Sequence, residues 1–119
     1  MEIFKVFKFD AAHHLPCVPD GHKCSRTHGH SFRVEIHVRG DVDSHKGWVM
    51  DFADITAAFE PILDELDHKN LNAIEGLENP TSERLCRWIW NRLKPSLPQL
   101  SKIIVCESPD SGCIYDGKD

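Results

Sequence analysis

The segment from Thr27 to Arg39, "THGHSFRVEIHVR", limits the fold more than any other part of the chain. Its apolar residues recur every second position: Phe32, Val34, Ile36 and Val38 on one face, Arg33, Glu35, His37 and Arg39 on the other. A period of two specifies a strand with one buried face. His28 and His30 share the parity of the apolar set, so they continue the buried face at its loop end. Imidazoles on such a face need partners, because unpaired buried polar groups are costly. Gly29 points the opposite way, and its missing side chain lets a backbone or a ligand approach.

A second alternating run, "IFKVFKFDAAHH", opens the sequence. Here Phe7, Phe9 and Ala11 share parity with His13 and not with His14. His13 therefore joins His28 and His30 if the two strands pair with like faces together. Three imidazoles with no fourth protein ligand describe a zinc site that keeps one position open for chemistry. Two plainer arrangements compete with it. The histidines could be core residues bonded to backbone, or Cys17, Cys24, His28 and His30 could close a structural site. The spacing of that second set, C-x6-C-x3-H-x-H, matches no common zinc finger.

The remaining elements follow from periodicity and punctuation. Pro16, Pro19 and Gly21 break the first strand into a loop. "GDVDSHKG" reads as a turn and "WVMDF" as a short strand returning beside the second in a hairpin. Asp51 is a candidate cap for a helix whose apolar face is Phe52, Ile55, Phe59, Ile62, Leu63 and Leu66. Pro61 inside that pattern predicts a kink or break. A second helix is expected after "NPTSE", with Asn79 as cap, Pro80 in the first turn, Leu85, Trp88, Ile89 and Leu93 buried, and Pro95 as stop. "KIIVCE" and "CIYD" read as two further strands joined by "SPDSG". The order β-β-β, α-α, β-β predicts an α+β fold with a five-stranded antiparallel sheet and both helices on one face.

At 119 residues the protein is expected to form one domain, residues 1–119. A formal charge of −5 with no basic cluster argues against a nucleic-acid partner, and no apolar run suits a membrane. Five cysteines without a leader segment suggest free thiols in a reducing cytoplasm. Cys24 stands out among them, because Lys23, Arg26 and a nearby metal would favour thiolate. In "LDHKNLN", Asp67 can orient His68 for proton transfer, although a solvated helix end is the simpler account. Glu107 shares a face with Ile103 and Val105. It could grip a guanidine-like edge with both oxygens, or simply be a solvated strand end.

Taken in order, "FDAAHHLP", "CSRTHGHSF", "GWVMDF", "LDHKNLN", "ENPTSE" and "CESPDSG" resemble the 6-pyruvoyltetrahydropterin synthase family over nearly the whole sequence. The C-x3-H-G-H spacing resembles the branch making 6-carboxytetrahydropterin for queuosine (7-deazaguanine) biosynthesis. The pyruvoyl branch usually has a longer gap and an Asn where this chain has Ser31. The resemblance implies a tunnelling fold, in which three subunits close one barrel and two trimers stack into a homohexamer. It implies Zn2+ on His13, His28 and His30, Cys24 as base, Asp67 and His68 as proton-transfer pair, and Glu107 as pterin anchor. These groups would be drawn from neighbouring subunits at their boundaries. The implied reaction converts 7,8-dihydroneopterin triphosphate to 6-carboxy-5,6,7,8-tetrahydropterin, releasing triphosphate and acetaldehyde without a redox cofactor. A pyruvoyl synthase, or a non-catalytic zinc- or pterin-binding protein of the same fold, is the alternative.

Overall fold

The alternating segments form the two longest strands. In a computed structural model describing residues 1–119, β1 spans Glu2–His13 and β2 spans His28–Arg39. They pair antiparallel without interruption from Glu2↔Arg39 to His13↔His28. Then follow α1 (Phe52–Leu66), α2 (Ser82–Leu93), β3 (Leu100–Ser108) and β4 (Ser111–Tyr115). The sheet order is β1-β2-β3-β4, antiparallel throughout. This is the expected α+β architecture, with four strands instead of five.

The missing strand is "WVMDF". Both edges of β2 are already occupied, by β1 and by β3, so no ladder position remains for a return strand. Residues 41–48 fold onto themselves instead. Asp43 accepts backbone N–H bonds from His45 and Lys46 through its side chain, and its own N–H donates to the Trp48 carbonyl at 2.8 Å. Val49 and Met50 then pack against the core at the entry to α1.

The helices cover one face of the sheet, α1 over β1 and α2 over β3 and β4. Ile55, Phe59, Ile62 and Leu66 of α1 and Leu85, Cys86, Ile89 and Leu93 of α2 meet the apolar faces of β1, β2 and β3 in one buried cluster. Asp51 caps α1 by accepting the Ala53 N–H, as its position predicts. Four details depart from expectation. Phe52, at the first position of α1, is 51% exposed, and Trp88 is only half-buried, its indole N–H donating to the Glu75 carbonyl at 3.1 Å. Pro61 does not break α1, because Ala57 and Pro61 both lie on the exposed face, where water can take the carbonyl that Pro61 cannot bond. The cap of α2 is Thr81, whose hydroxyl accepts the Arg84 N–H at 3.2 Å, and not Asn79. Pro80 thus precedes the cap, which leaves its carbonyl free for another use. No helix is long and apolar enough to cross a membrane.

The sheet face turned away from the helices carries a charged network. His37 lies between Glu35, at 2.8 Å, and Glu2, at 3.9 Å, and Arg33 also pairs with Glu35. Burial pushes the Glu35 carboxyl up, but hydrogen bonds from His37 and Arg33 and their charges outweigh it, leaving the group below its usual 4.5. A carboxyl whose folded pKa is depressed contributes stability above its unfolded value and loses it as pH falls through the folded value. Glu35→Gln should therefore be less stable than the parent at neutral pH and lose less stability on acidification below pH 4.5. Urea unfolding across a pH series measures this, and parallel losses in both proteins would contradict it.

Candidate metal centre and the groups around it

The register of β1 and β2 sets the site. His13 stands opposite His28, and His30 follows two residues along β2. The three rings form a nearly equilateral triangle, with centroid separations of 4.7, 5.0 and 4.8 Å and edge-on orientations. One ligand nitrogen from each lies within 4.8 Å of the others. Small ring rotations would bring them to the ~3.4 Å between tetrahedral zinc ligands at ~2.0–2.1 Å from the ion.

Backbone carbonyls orient two of the rings. His13 Nδ1 lies 2.9 Å from the Pro80 carbonyl and His28 Nδ1 lies 2.7 Å from the Arg26 carbonyl. A carbonyl can only accept, so each Nδ1 carries the proton and each Nε2 keeps its lone pair for a metal. His13 is buried, and that burial pushes its pKa below the usual 6.5. The Pro80 carbonyl and Glu107 oppose the shift without cancelling it. Three imidazole nitrogens grouped in this way suit a zinc ion and fit the site.

Glu107, near the end of β3, borders the triangle. Its Oε2 lies 3.7 Å from His30 Nε2, while its Oε1 accepts a hydrogen bond from Ser82 Oγ at 2.9 Å. The first turn of α2 thereby fixes the carboxylate. A cleft of about 290 Å³ lies along Glu107, Ser82 and Gly112. A larger one of about 580 Å³ is lined by Gly29, His30, His68 and Lys69, so His30 touches one cleft and neighbours the other through Glu107. Within the subunit Gly29 is uncrowded: an added Cβ would meet only the Ala11 carbonyl, at 3.8 Å.

Asp67 and His68 follow α1 along the free edge of β1. His68 Nδ1 lies 2.9 Å from Asp67 Oδ1, and the same oxygen accepts the Asp10 N–H at 3.1 Å. The His68 N–H donates to the Asp10 carbonyl at 2.6 Å and the Ala12 N–H donates to the Lys69 carbonyl at 3.0 Å. The pair is thus a C-terminal cap stitched to the strand that carries His13. Its imidazole is largely solvent-exposed and lines the larger cleft with His30.

Cys24 sits half-buried in a 3₁₀ turn, Lys23–Ser25. Its N–H donates to His22 Nδ1, and its carbonyl accepts the Leu15 N–H at 2.7 Å, which folds the loop back to the end of β1. Neither Cys24 nor the exposed Cys17 contributes to the cluster of ligand atoms, so the closed four-ligand arrangement is not formed. Cys113 lies on β4, where its carbonyl faces the buried Cys86 thiol at 3.6 Å.

Ser82, Asp10 and the Pro80 carbonyl were not legible as parts of this region. Ser82 was visible only as part of "NPTSE", and a carbonyl has no side-chain signature. His68 carries one further cost, a φ of 59° in the left-handed region. An L residue there is strained by about 1 kcal/mol relative to glycine. His68→Gly should therefore be about 1 kcal/mol more stable than His68→Ala, although both lose the imidazole. Chemical denaturation distinguishes them, and equal stability would mean that the stitching to Asp10 stores no strain.

Comparison with known proteins agrees with this geometry. The family of 6-pyruvoyl tetrahydropterin synthase matches residues 2–118. A 6-carboxy-5,6,7,8-tetrahydropterin synthase of Synechocystis sp. is 42% identical, over 95% of this chain and 91% of that protein. A dihydroneopterin monophosphate aldolase of Pyrococcus furiosus is 36% identical, over 87% of each. The solved structure of 6-pyruvoyl tetrahydropterin synthase from Caenorhabditis elegans superposes with a TM-score of 0.91 at 28% identity, over 99% of this chain and 96% of that one. With three imidazoles on paired strands and a match running from the second residue to the penultimate one, the chain belongs to the 6-pyruvoyl tetrahydropterin synthase family, a pterin enzyme with a three-histidine cluster suited to a metal.

Proposed function

We propose that the protein is a 6-carboxy-5,6,7,8-tetrahydropterin synthase, acting on 7,8-dihydroneopterin triphosphate in the cytoplasm to serve queuosine biosynthesis. The observation that carries this reading is the three-imidazole cluster beside a fixed carboxylate, 3.7 Å from His30 to Glu107. The likeness to a synthase of that activity at 42% identity supports the choice of branch. Zn2+, held by His13, His28 and His30, would supply Lewis-acid polarisation of the substrate's side-chain oxygens.

The protein's own groups divide the remaining work. Glu107, fixed by Ser82, accepts the two N–H bonds of the pterin N2 and N3 edge and sets the ring's orientation. Cys24 as thiolate takes a proton from the substrate's side chain, and His68, oriented by Asp67, returns one. Triphosphate leaves by elimination, and a carbon–carbon bond of the substrate's side chain breaks to release acetaldehyde. Atoms balance with a water consumed and no external oxidant or reductant, because one part of the substrate is oxidised as another is reduced.

The proposed working form is a homohexamer of two trimers, each closing one barrel. Two features of the subunit support it. Its sheet ends in open strand edges, and Phe4 and Ile114 stand exposed, at 49% and 65%. The same closure brings Cys24, Asp67 and His68 of neighbouring copies toward one metal centre.

A second reading has a specific observation behind it. The aldolase relative shows that close kin can stop at carbon–carbon cleavage. Incubating the zinc-loaded protein with 7,8-dihydroneopterin triphosphate, followed by mass spectrometry, separates the possibilities. The expected products are 6-carboxytetrahydropterin, acetaldehyde and inorganic triphosphate. A 6-pyruvoyl product without acetaldehyde would assign the other synthase branch. A 6-hydroxymethyl pterin, with phosphate kept on the two-carbon fragment, would assign an aldolase. No turnover with tight pterin binding would make the protein a binder. In the synthase, Cys24→Ala should lower kcat by about 10²- to 10⁴-fold, the usual worth of a general base. Glu107→Ala should raise KM and lower kcat/KM, as expected for a lost anchor.

A further inference from the structure

The β1–β2 ladder ends at His13↔His28, so the backbone of His14 has no strand beside it. A single side chain takes the place of one. Asn72 lies in the 3₁₀ turn Leu71–Ala73, whose N-terminal cap is Asn70. Its Oδ1 accepts the His14 N–H at 2.9 Å, and its Nδ2 donates to the His14 carbonyl at 2.9 Å. Both polar backbone groups of one residue are thus bonded by one carboxamide, as a neighbouring strand would bond them. The same Nδ2 donates to the Glu78 carbonyl at 3.3 Å. Glu78 stands two residues before Pro80, the residue whose carbonyl receives the His13 Nδ1 proton.

Asn72 therefore touches the backbone on both sides of the His13 imidazole. It fixes the residue after His13, and it fixes the loop that presents the carbonyl to which His13 is bonded. Leu71 and Leu77, both fully buried, anchor the segment on either side of it. The carboxamide is also the one neutral group that can do this with an acceptor and two donors on a short stem. An aspartate would retain the bond to the His14 N–H but place a carboxylate against two carbonyls. An alanine would make none of the three bonds.

We propose that Asn72 is a positioning residue of the metal centre, holding the His13 ring and its Pro80 partner in the orientation that ligation needs. The inference rests on the reading that His13, His28 and His30 hold a divalent metal. Asn72 does not contact the ion. Its effect passes through the tilt of one ligand, and outer partners of metal-ligating histidines commonly govern affinity by 10- to 100-fold.

The test measures zinc affinity by chelator competition on the full-length protein, the visible spectrum of the cobalt(II)-loaded protein, and thermal stability without metal. Asn72→Ala and Asn72→Asp are compared with the parent, with His28→Ala, and with Leu97→Ala, a core truncation just beyond the C-terminal end of α2, the opposite end of that helix from Pro80. Asn72→Ala is expected to bind zinc about 10- to 100-fold more weakly and Asn72→Asp about tenfold more weakly, each with an altered cobalt spectrum. Leu97→Ala should lose thermal stability and keep the parent's spectrum and affinity. If both Asn72 variants match the parent in affinity and spectrum while His28→Ala loses the metal, the inference is overturned and the metal centre stands. It is likewise overturned if Leu97→Ala, at a similar loss of thermal stability, loses as much zinc affinity as the Asn72 variants. A parent that takes up no zinc overturns the metal reading and this inference together.

Discussion

The register between β1 and β2 is the constraint on which the site depends. Twelve consecutive pairs, from Glu2↔Arg39 to His13↔His28, bring three histidines from two distant segments to one corner of the sheet. A slip by one residue would turn His28 and His30 to the opposite face and separate them from His13. The apolar pairs hold the register in place. Phe9 stacks on Phe32 with centroids 4.9 Å apart, and Phe7 stands opposite Val34 under α1, where it meets Phe59. The hydrophobic core and the metal centre are therefore one continuous face, with Phe32 in edge contact with both His13 and His30. Core packing fixes where the imidazoles stand, and backbone carbonyls fix how the His13 and His28 rings turn.

That division explains what was legible in the sequence. The grouping of His13 with His28 and His30 followed from parity, because a strand's period of two survives any uncertainty about loops. Most of each helix face followed from periodicity for the same reason, although Phe52 stands exposed and Cys86, not Trp88, completes the buried face of α2. Parity could not reveal what bonds the outer ring nitrogens. The partners are the carbonyls of Pro80 and Arg26, which any residue could provide and which only the fold brings into place. The Asp67–His68 pair was visible as an adjacency of types. Its attachment to β1 through Asp10 was not, since those bonds run largely through backbone.

Two of the misread features have a common origin. "WVMDF" has a strand's composition, and Asn79-Pro80 has the composition of a helix start. Both were displaced by a tertiary competitor. β3 fills the edge of β2 that a return strand would need, and the Pro80 carbonyl bonds His13 while Thr81 takes the cap of α2. The second displacement is tied to the site. Shifting the cap to Thr81 leaves Ser82 in the first turn, from which it bonds Glu107 beside His30. The same helix start thus bonds one histidine of the cluster and the neighbouring carboxylate.

The central claim is that three histidines, and no cysteine, bind a zinc ion with one position left open. Zinc K-edge X-ray absorption on the metal-loaded protein tests it most directly. The account predicts three nitrogen scatterers and one oxygen scatterer, all at about 2.0–2.1 Å. A sulfur scatterer at about 2.3 Å would place Cys24 in the coordination sphere and contradict it.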